Sequence, residues 1–278
     1  MPFSRPAPLA LLACLAVSPL AALAADPAAE AWPLAARFDF NAARGVLAAA
    51  SADQPGAPAD LRLAHAAALL GAQPRVPDNI RIALATTRAV AADSTTPADT
   101  RLIARHLEGR ILREHIEPRT RENLAASREI FREVLAADSA HPVVARSALP
   151  LAFGLLYDEP ESASPAARLA AAEALLPSVA AHPAVERDLR YVLSQAALVW
   201  GLDPAIARDH LKRVDEIGFT QRPRRLHARV TLGLLAEETG QLELAASAYR
   251  GFLAESVRDA REDTVRAALA SVETRLAR

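Results

Sequence analysis

The sequence predicts an all-α fold, an α-solenoid of about six antiparallel helix hairpins closed by a C-terminal capping helix. Three observations indicate this fold. Alanine and leucine dominate while only 10 of the 278 residues are glycine, prolines stand where helices would begin, and similar helix endings recur at nearly constant spacing. Alanine has the best intrinsic helix propensity, and the alternating β-branched runs that indicate strands are missing from the sequence.

Proline punctuates the chain. It is favoured at the first helical position, where its missing N–H would have no partner anyway, and Asp, Ser or Thr before it can cap the free N–H groups. The pairs that predict helix starts are Asp26-Pro27, Thr96-Pro97, His141-Pro142, Ser164-Pro165, His182-Pro183 and Asp203-Pro204. Pro150 and Pro177 fall inside helical patterns and should kink or shorten those helices.

These marks and the apolar periodicity divide the chain into helices. The predicted ranges are 27–36, 40–51, 58–71, 78–92, 97–116, 121–137, 141–157, 164–181, 183–200, 203–216, 222–239, 242–257 and 260–277. Alternate helices from 40 onward start 38, 43, 43, 39 and 39 residues apart. A repeat of about 34 to 45 residues made of two helices is typical of an α-solenoid.

Helix endings give an independent sign of the repeat. The segment Val90-Ala-Ala-Asp-Ser-Thr-Thr-Pro97 aligns without a gap with Leu135-Ala-Ala-Asp-Ser-Ala-His-Pro142, 45 residues further on. A shortened version spans 179–183 and a looser one spans 47–55. A generic helical bundle is the alternative, but it gives no reason for an ending that recurs four times.

The most specific repeat lies near the C-terminus, over 226–257. Its marker residues are Leu232, Gly233, Gly240, Leu242, Ala245, Tyr249 and Leu253. Their spacing resembles that of tetratricopeptide repeats. We expect Gly233 and Ala245 to allow close helix approach, Tyr249 to fill the space between neighbouring hairpins, and Gly240 to form the turn, where a positive φ is easiest for glycine.

Elsewhere the resemblance to tetratricopeptide repeats is partial. Gly154 and Tyr157 match the first helix of a repeat, and Phe131 matches a second helix. The best repeat departs from the family in having Arg229 where a tryptophan is usual and Val257 where a proline is usual. The first hundred residues match only in helix length and period, so the repeats are divergent.

Residues 1–24 have the three parts of a secretory signal peptide. Arg5 supplies the positive charge, a short apolar run follows, and Ala22 and Ala24 occupy the small positions that signal peptidase reads. We therefore expect an exported protein, periplasmic or extracellular, whose mature part is a repeat domain over 25–278.

Two other fates of the apolar run are possible. A transmembrane helix needs about 20 apolar residues, whereas this run is short and is flanked by Pro8 and Pro19. The sequence before Cys14 loosely resembles a lipoprotein box, which would anchor the protein to lipid. The apolar run before Cys14 is very short and continues beyond it, which favours an unmodified cysteine within the signal peptide.

Charge and cysteine content exclude several classes of protein. The formal net charge is -1, and it becomes -2 once Arg5 is removed, so neither a nucleic-acid footprint nor a polybasic membrane patch is expected. Without Cys14 the mature domain has no cysteine, which excludes disulfides and thiolate chemistry from it.

Motifs for catalysis, metals and cofactors are missing from the sequence. It contains no G-x-G-x-x-G, G-K-[ST], G-x-S-x-G or H-E-x-x-H. No two histidines stand four residues apart on one helix, so no ready metal pair exists. His141 and His182 each precede a helix-starting proline, which favours a role in the turn. We therefore expect a binding protein without cofactor or metal, not an enzyme.

The resemblance implies that the first helix of each pair lines a concave groove that holds a partner's peptide or helix. The predicted groove residues are His106, Arg110 and Arg113 in one helix, and His227, Val230, Leu234 and Glu237 or Glu238 in another. Groove arginines suit carboxylates of a protein partner, although a merely solvated helix face has the same pattern. The alternative function is a small-ligand-binding protein or enzyme with a pocket between helices.

Overall fold

A computed structural model describes residues 26–36, 39–54, 56–158 and 163–278. Within these ranges all regular structure is helical and no strand occurs. The predicted signal segment, with Cys14, Ala22 and Ala24, lies outside the described residues.

The helices follow one another with short connections. Their bounds are α1 (Pro27–Ala36), α2 (Phe40–Ala49), α3 (Ala59–Gly71), α4 (Pro77–Ala92), α5 (Ala98–Arg110), α6 (Arg121–Leu135), α7 (Pro142–Arg146), α8 (Ala148–Tyr157), α9 (Pro165–Glu173), α10 (Leu176–Val179), α11 (Pro183–Val199), α12 (Pro204–Ile217), α13 (Arg222–Glu238), α14 (Leu242–Glu255) and α15 (Glu262–Leu276). A π-helical turn, Ile111–His115, continues α5.

Prolines divide two of the predicted helices. The predicted helix over 141–157 is α7 followed by α8, and the one over 164–181 is α9 followed by α10. A proline has no N–H to donate to the carbonyl four residues earlier, and its ring collides with that carbonyl. Arg146, the last residue of α7, stands four residues before Pro150, and Glu173, the last residue of α9, stands four residues before Pro177.

Side-chain caps start several helices as predicted. Among the predicted starts, the side chains that accept a hydrogen bond from a free backbone N–H belong to Asp26, His141, Ser164 and Asp203, whereas α5 begins without such a bond from Thr96. His141 therefore has the structural role at a turn that the sequence indicates. His182 makes no such bond at the start of α11, although Pro183 begins that helix as expected.

Helices pack on their neighbours in the chain, and several also pack on the next helix but one. Among the described residues, α1 through α6 each contact the next helix, and so do α11 through α14. In addition α1 contacts α3, α3 contacts α5, α5 contacts α7, and α8 contacts α11. These helices thus form one continuous row, and the intervening helices, such as α2, α4 and α6, pack between them.

The apolar core is spread along the chain. Its largest cluster extends from α6 to α14 and includes the fully buried Phe131, Leu151, Leu189 and Leu211. Smaller clusters join α1 to α3, α3 to α5 and α13 to α15. Each fully buried leucine contributes roughly 1.5–3 kcal/mol, so these clusters supply much of the stability along the whole row of helices.

The unit formed by α13 and α14 has the packing expected of its small residues. A Cβ atom on Gly233 would overlap the ring of Tyr249, which is fully buried. Ala245 is also completely buried, and Leu232 belongs to the large core cluster. Gly240 has a φ of 73° in the turn between the helices, which glycine adopts without strain.

Arg229 of α13 links three helices. Its guanidinium binds Asp215 at the end of α12 (2.8 Å) and Glu255 at the end of α14 (2.7 Å). It also donates to the carbonyl of Gly251 at 2.8 Å. Charged hydrogen bonds thus join α12, α13 and α14 at this junction.

Two other predicted packing residues differ in detail. Gly154 is close to the side chain of Arg128, whose Cγ would lie 2.8 Å from an added Cβ. Tyr157 does not enter the core: the residue is 44% exposed at the end of α8. Its ring lies 6.1 Å from that of Phe153 and 5.8 Å from that of Trp200, so Tyr157 covers the core edge.

Gly233→Ala should destabilise the protein by about 1–3 kcal/mol, because the new methyl group must displace the Tyr249 ring. Gly45→Ala in α2 is the matched control, since a Cβ there meets nothing within 4 Å and alanine favours a helix by up to about 1 kcal/mol. Urea unfolding followed by circular dichroism measures both. Equal effects of the two substitutions would contradict the packing described for Gly233.

Candidate functional site

A cavity of about 460 Å³ opens on the row of contacting helices. It is bounded by α5 with its π-helical turn, by α7 and α8, and by the first turns of α11. The lining residues are His106, Arg110, Arg113, Glu114, Arg146, Leu149, Pro150, Phe153, Ala184, Val185 and Asp188. The predicted groove residues of the helix over 97–116 therefore lie together in this cavity.

The π-helical turn shapes one wall of the cavity. Ile116 donates its N–H to the carbonyl of Ile111, five residues earlier, at 3.2 Å. Such wide turns occur mostly as short insertions within α-helices and are frequent at functional sites. The turn brings Arg113 and Glu114 to the same cavity as Arg110.

Arg110 and Arg113 have different surroundings. Arg113 forms an ion pair with Asp158 at the end of α8, lies 5.8 Å from the centre of the Phe153 ring, and is only 16% exposed. Arg110 pairs with Glu114 at 2.6 Å on the same helical segment and is 46% exposed. Exposed pairs of this kind contribute little, so Arg110 is available to a ligand, whereas Arg113 holds the wall in place.

Arg146, the last residue of α7, was not among the predicted groove residues. It is exposed and has no acidic partner in the described part of the chain. The sequence indicated only that Arg146 lies in a predicted first helix. It did not show which face of that helix carries Arg146, because the break at Ser147 interrupts the helical periodicity.

His106 is held by a hydrogen-bond chain at the back of the cavity. The Ser147 hydroxyl lies 2.8 Å from Nδ1 of His106 and donates to the carbonyl of Val143 at 2.9 Å. Because one hydroxyl has a single proton to donate, Nδ1 of His106 carries the proton and donates to Ser147. Burial, followed by the positive charge of Arg110, lowers the pKa of His106 to about 4, so the imidazole is neutral near neutral pH.

The second predicted stripe, on α13, does not reach this cavity. His227 and Glu238 are exposed, Val230 is half-buried, and Leu234 is 55% exposed. Glu237 faces the other way, because Arg275 of α15 binds it at 2.8 Å and the Tyr249 hydroxyl donates to it at 3.3 Å. Glu237 therefore stabilises the C-terminal packing and leaves Glu238 as the acidic residue of that stripe.

A second hollow of about 370 Å³ adjoins the cavity through Arg110. Residues of α1, α2, α3 and α5 line it, among them Trp32, Phe40, Leu70 and Leu107. The two hollows share a lining residue and both lie on the row of contacting helices. We call their combined surface the groove, and it extends from α1 to α11.

A larger cavity, about 640 Å³, lies on another face of α5, between α4 and α6. Four of its charged lining residues pair with one another. Buried Glu108 binds Arg88 at 2.8 Å and Arg105 at 2.6 Å, and Arg105 also binds Glu133 of α6. This network joins three helices. Arg101 also lines the cavity, and its Nε is buried without a hydrogen-bond partner among the described residues.

The described residues contain neither a metal-binding cluster nor a membrane-spanning helix. Within the described ranges, no group of three or more histidine, cysteine, aspartate or glutamate residues has the arrangement of a metal site. No helix among these residues combines the length and apolar character needed to cross a membrane. Comparison with known proteins found no matching family model and no significantly similar curated protein.

Lowering the pH should destabilise the protein partly through His106. The folded pKa of about 4 lies below the unfolded value of 6.5, so the unfolded state takes up a proton first as pH falls. This contribution is complete above pH 6.5 and is lost between 6.5 and about 4, by at most about 3 kcal/mol. His106→Asn, whose amide can donate to Ser147, should flatten the pH dependence of urea unfolding. His227→Asn, at an exposed position, is the control and should leave that dependence unchanged.

Replacing the two neighbouring arginines should have different effects on stability. Arg113→Ala removes the partner of Asp158 and should cost about 1–3 kcal/mol, whereas Arg110→Ala should change stability by less than about 0.5 kcal/mol. Urea unfolding of both variants, with a double-mutant cycle through Asp158→Ala, measures the difference. An effect of Arg110→Ala as large as that of Arg113→Ala would contradict these roles.

Proposed function

We propose that this protein is an exported scaffold that binds a segment of another protein in the groove. Its fold would be a divergent solenoid similar to tetratricopeptide repeats. The six hairpins would be α1 with α2, α3 with α4, α5 with α6, α7 and α8 with α9 and α10, α11 with α12, and α13 with α14, and α15 would be the cap. The contacts of consecutive helices and the row formed by the first helices support this arrangement.

One observation carries the proposal. Among the described residues, the cavity is lined by first helices of the proposed hairpins and by the turn that extends α5. It combines apolar surface with the guanidinium of Arg146, which no acid of the described ranges pairs. A guanidinium in an apolar groove can bind a carboxylate through two parallel hydrogen bonds, while the apolar surface holds neighbouring side chains. Fold alone does not determine function, so this local chemistry is the stronger support.

A small-ligand-binding function is the second candidate. The cavity volume of about 460 Å³ is within the range of about 300–1,000 Å³ that small-molecule sites occupy. The extension of the groove beyond the cavity to Trp32 and Phe40 favours a longer ligand, because a small molecule would leave that hollow empty. Export is proposed from the pattern of residues 1–24 alone.

Site-specific photo-crosslinking in cells that make the full chain tests this function. A photoreactive amino acid at Ala184, an exposed alanine of the groove, should form adducts with a protein. The same amino acid at Ala267, an exposed alanine on α15, is the matched control and should form none. Adducts of equal yield at both positions, or none at Ala184, would count against a protein-binding groove.

A further inference from the structure

The positive charges of the cavity are unequally compensated. Arg113 is neutralised by Asp158, and Arg110 is held by Glu114 in an exposed pair. Arg146 has no acidic partner among the described residues. Asp188, the other acid of the cavity, is paired with Arg187 at 2.8 Å. The guanidinium of Arg146 is therefore the uncompensated charge of the lining.

Arg146 also lies where two hollows meet. Besides the main cavity, it lines a hollow of about 270 Å³ with Pro142, His182 and Val185. The two hollows share Arg146, Ala184 and Val185. Among these shared residues Arg146 is the charged one, so it can contact an extended ligand from either hollow.

Apolar side chains lie beside this charge. Leu149, Pro150 and Phe153 of α8 line the same cavity, and Val185 of α11 lines both hollows. Leu149 and Val185 pack against the large core cluster, so they present a fixed surface. An apolar side chain of the ligand can be buried here while a neighbouring residue reaches Arg146.

We propose that the groove selects a partner segment in which an acidic side chain stands next to an apolar or aromatic one. The carboxylate would bind the guanidinium of Arg146, and the apolar side chain would lie against Leu149, Pro150 and Phe153. This inference rests on the proposed function and states the chemistry of the partner.

The charge distribution favours an acidic segment over a basic one. A basic segment would meet the uncompensated guanidinium of Arg146, and it could reach a carboxylate only by opening the Arg110–Glu114 or the Arg187–Asp188 pair. An acidic segment gains a partner at Arg146, and it can also draw Arg110 from Glu114, since exposed pairs on one helix are weak. A purely polar acidic segment would leave the apolar surface exposed to water.

Fluorescence anisotropy with three labelled, C-terminally amidated peptides tests the selectivity on the purified protein. The peptides alternate glutamate with phenylalanine, lysine with phenylalanine, and glutamate with serine. We expect the first to bind at least about tenfold more tightly than the other two, because one charge-assisted contact commonly changes affinity by that factor. Equal binding of the lysine peptide, or of the serine peptide, would overturn the inference.

Variants locate the contact. Arg146→Glu should weaken binding of the glutamate–phenylalanine peptide about tenfold or more, and Arg146→Lys should restore part of the affinity. Arg266→Glu, at an exposed position on α15 without an acidic partner among the described residues, is the matched control and should leave affinity unchanged. Circular dichroism melting verifies that both glutamate variants fold. Unchanged binding by folded Arg146→Glu would refute the role of this residue.

The crosslinking experiment separates the two proposals. Adducts from Ala184 that disappear in Arg146→Glu and persist in Arg266→Glu support both. Two outcomes would keep the scaffold function and overturn its acidic specificity. In one, the adducts persist in Arg146→Glu. In the other, adducts form although the glutamate–phenylalanine peptide does not bind. If no adducts form at Ala184, the scaffold function itself fails.

Discussion

Gly109 lets the ring of Phe131 on α6 lie directly against the backbone of α5, and the geometry of the groove depends on this contact. A Cβ atom at Gly109 would be 2.9 Å from that ring, so any other residue would push the two helices apart. Ser127 of α6 adds a buried hydrogen bond of 2.9 Å to the carbonyl of Gly109. Immediately afterwards α5 widens into its π-helical turn. The junction with α6 thus fixes the place from which Arg110 and Arg113 project.

The same junction governs the electrostatics of the groove. The ring of Phe131 meets the imidazole of His106 edge-on, with centroids 5.6 Å apart, and thereby helps to remove His106 from water. Burial then keeps the imidazole neutral and available to donate to Ser147. Ser147 is the residue at which α7 ends and α8 begins. A chain of contacts therefore runs from Phe131 of α6 through His106 and Ser147 to the wall that carries Arg146.

Much of the helical pattern could be predicted because it depends on interactions between residues that are close in the sequence. Proline fixes helix starts by lacking an N–H, and it ends helices through the carbonyl four residues earlier, as at Arg146 and Glu173. That Gly233 allows two helices to approach closely was equally predictable. That the ring of Tyr249 from the same hairpin occupies the space beside Gly233 was not predicted. These features act within a turn or within one hairpin.

The parts of the site that were missed depend on contacts between distant residues. Arg113 and Asp158 are 45 residues apart, and no periodicity links them. The π-helical turn has no sequence signature, since it depends on how α5 packs on α6. Arg146 gains its significance only because no acid of the described ranges pairs with it, which is a property of the folded surface. Arg229 is a further example, because its partners Asp215 and Glu255 are 14 and 26 residues away in the chain.

The choice of arginine for the groove has a consequence for a protein proposed to act outside the cytoplasm. Surroundings there change in pH more than those inside a cell, and a groove that relied on histidine would change its charge between pH 5 and 8. Guanidinium groups remain protonated throughout that range, and burial moves the titration of His106 to about 4. Above that pH the guanidinium groups and His106 therefore keep a constant charge. Selection for a carboxylate would still vary with the ionisation of the partner and with salt, which screens exposed charges such as Arg146 over about 8–10 Å.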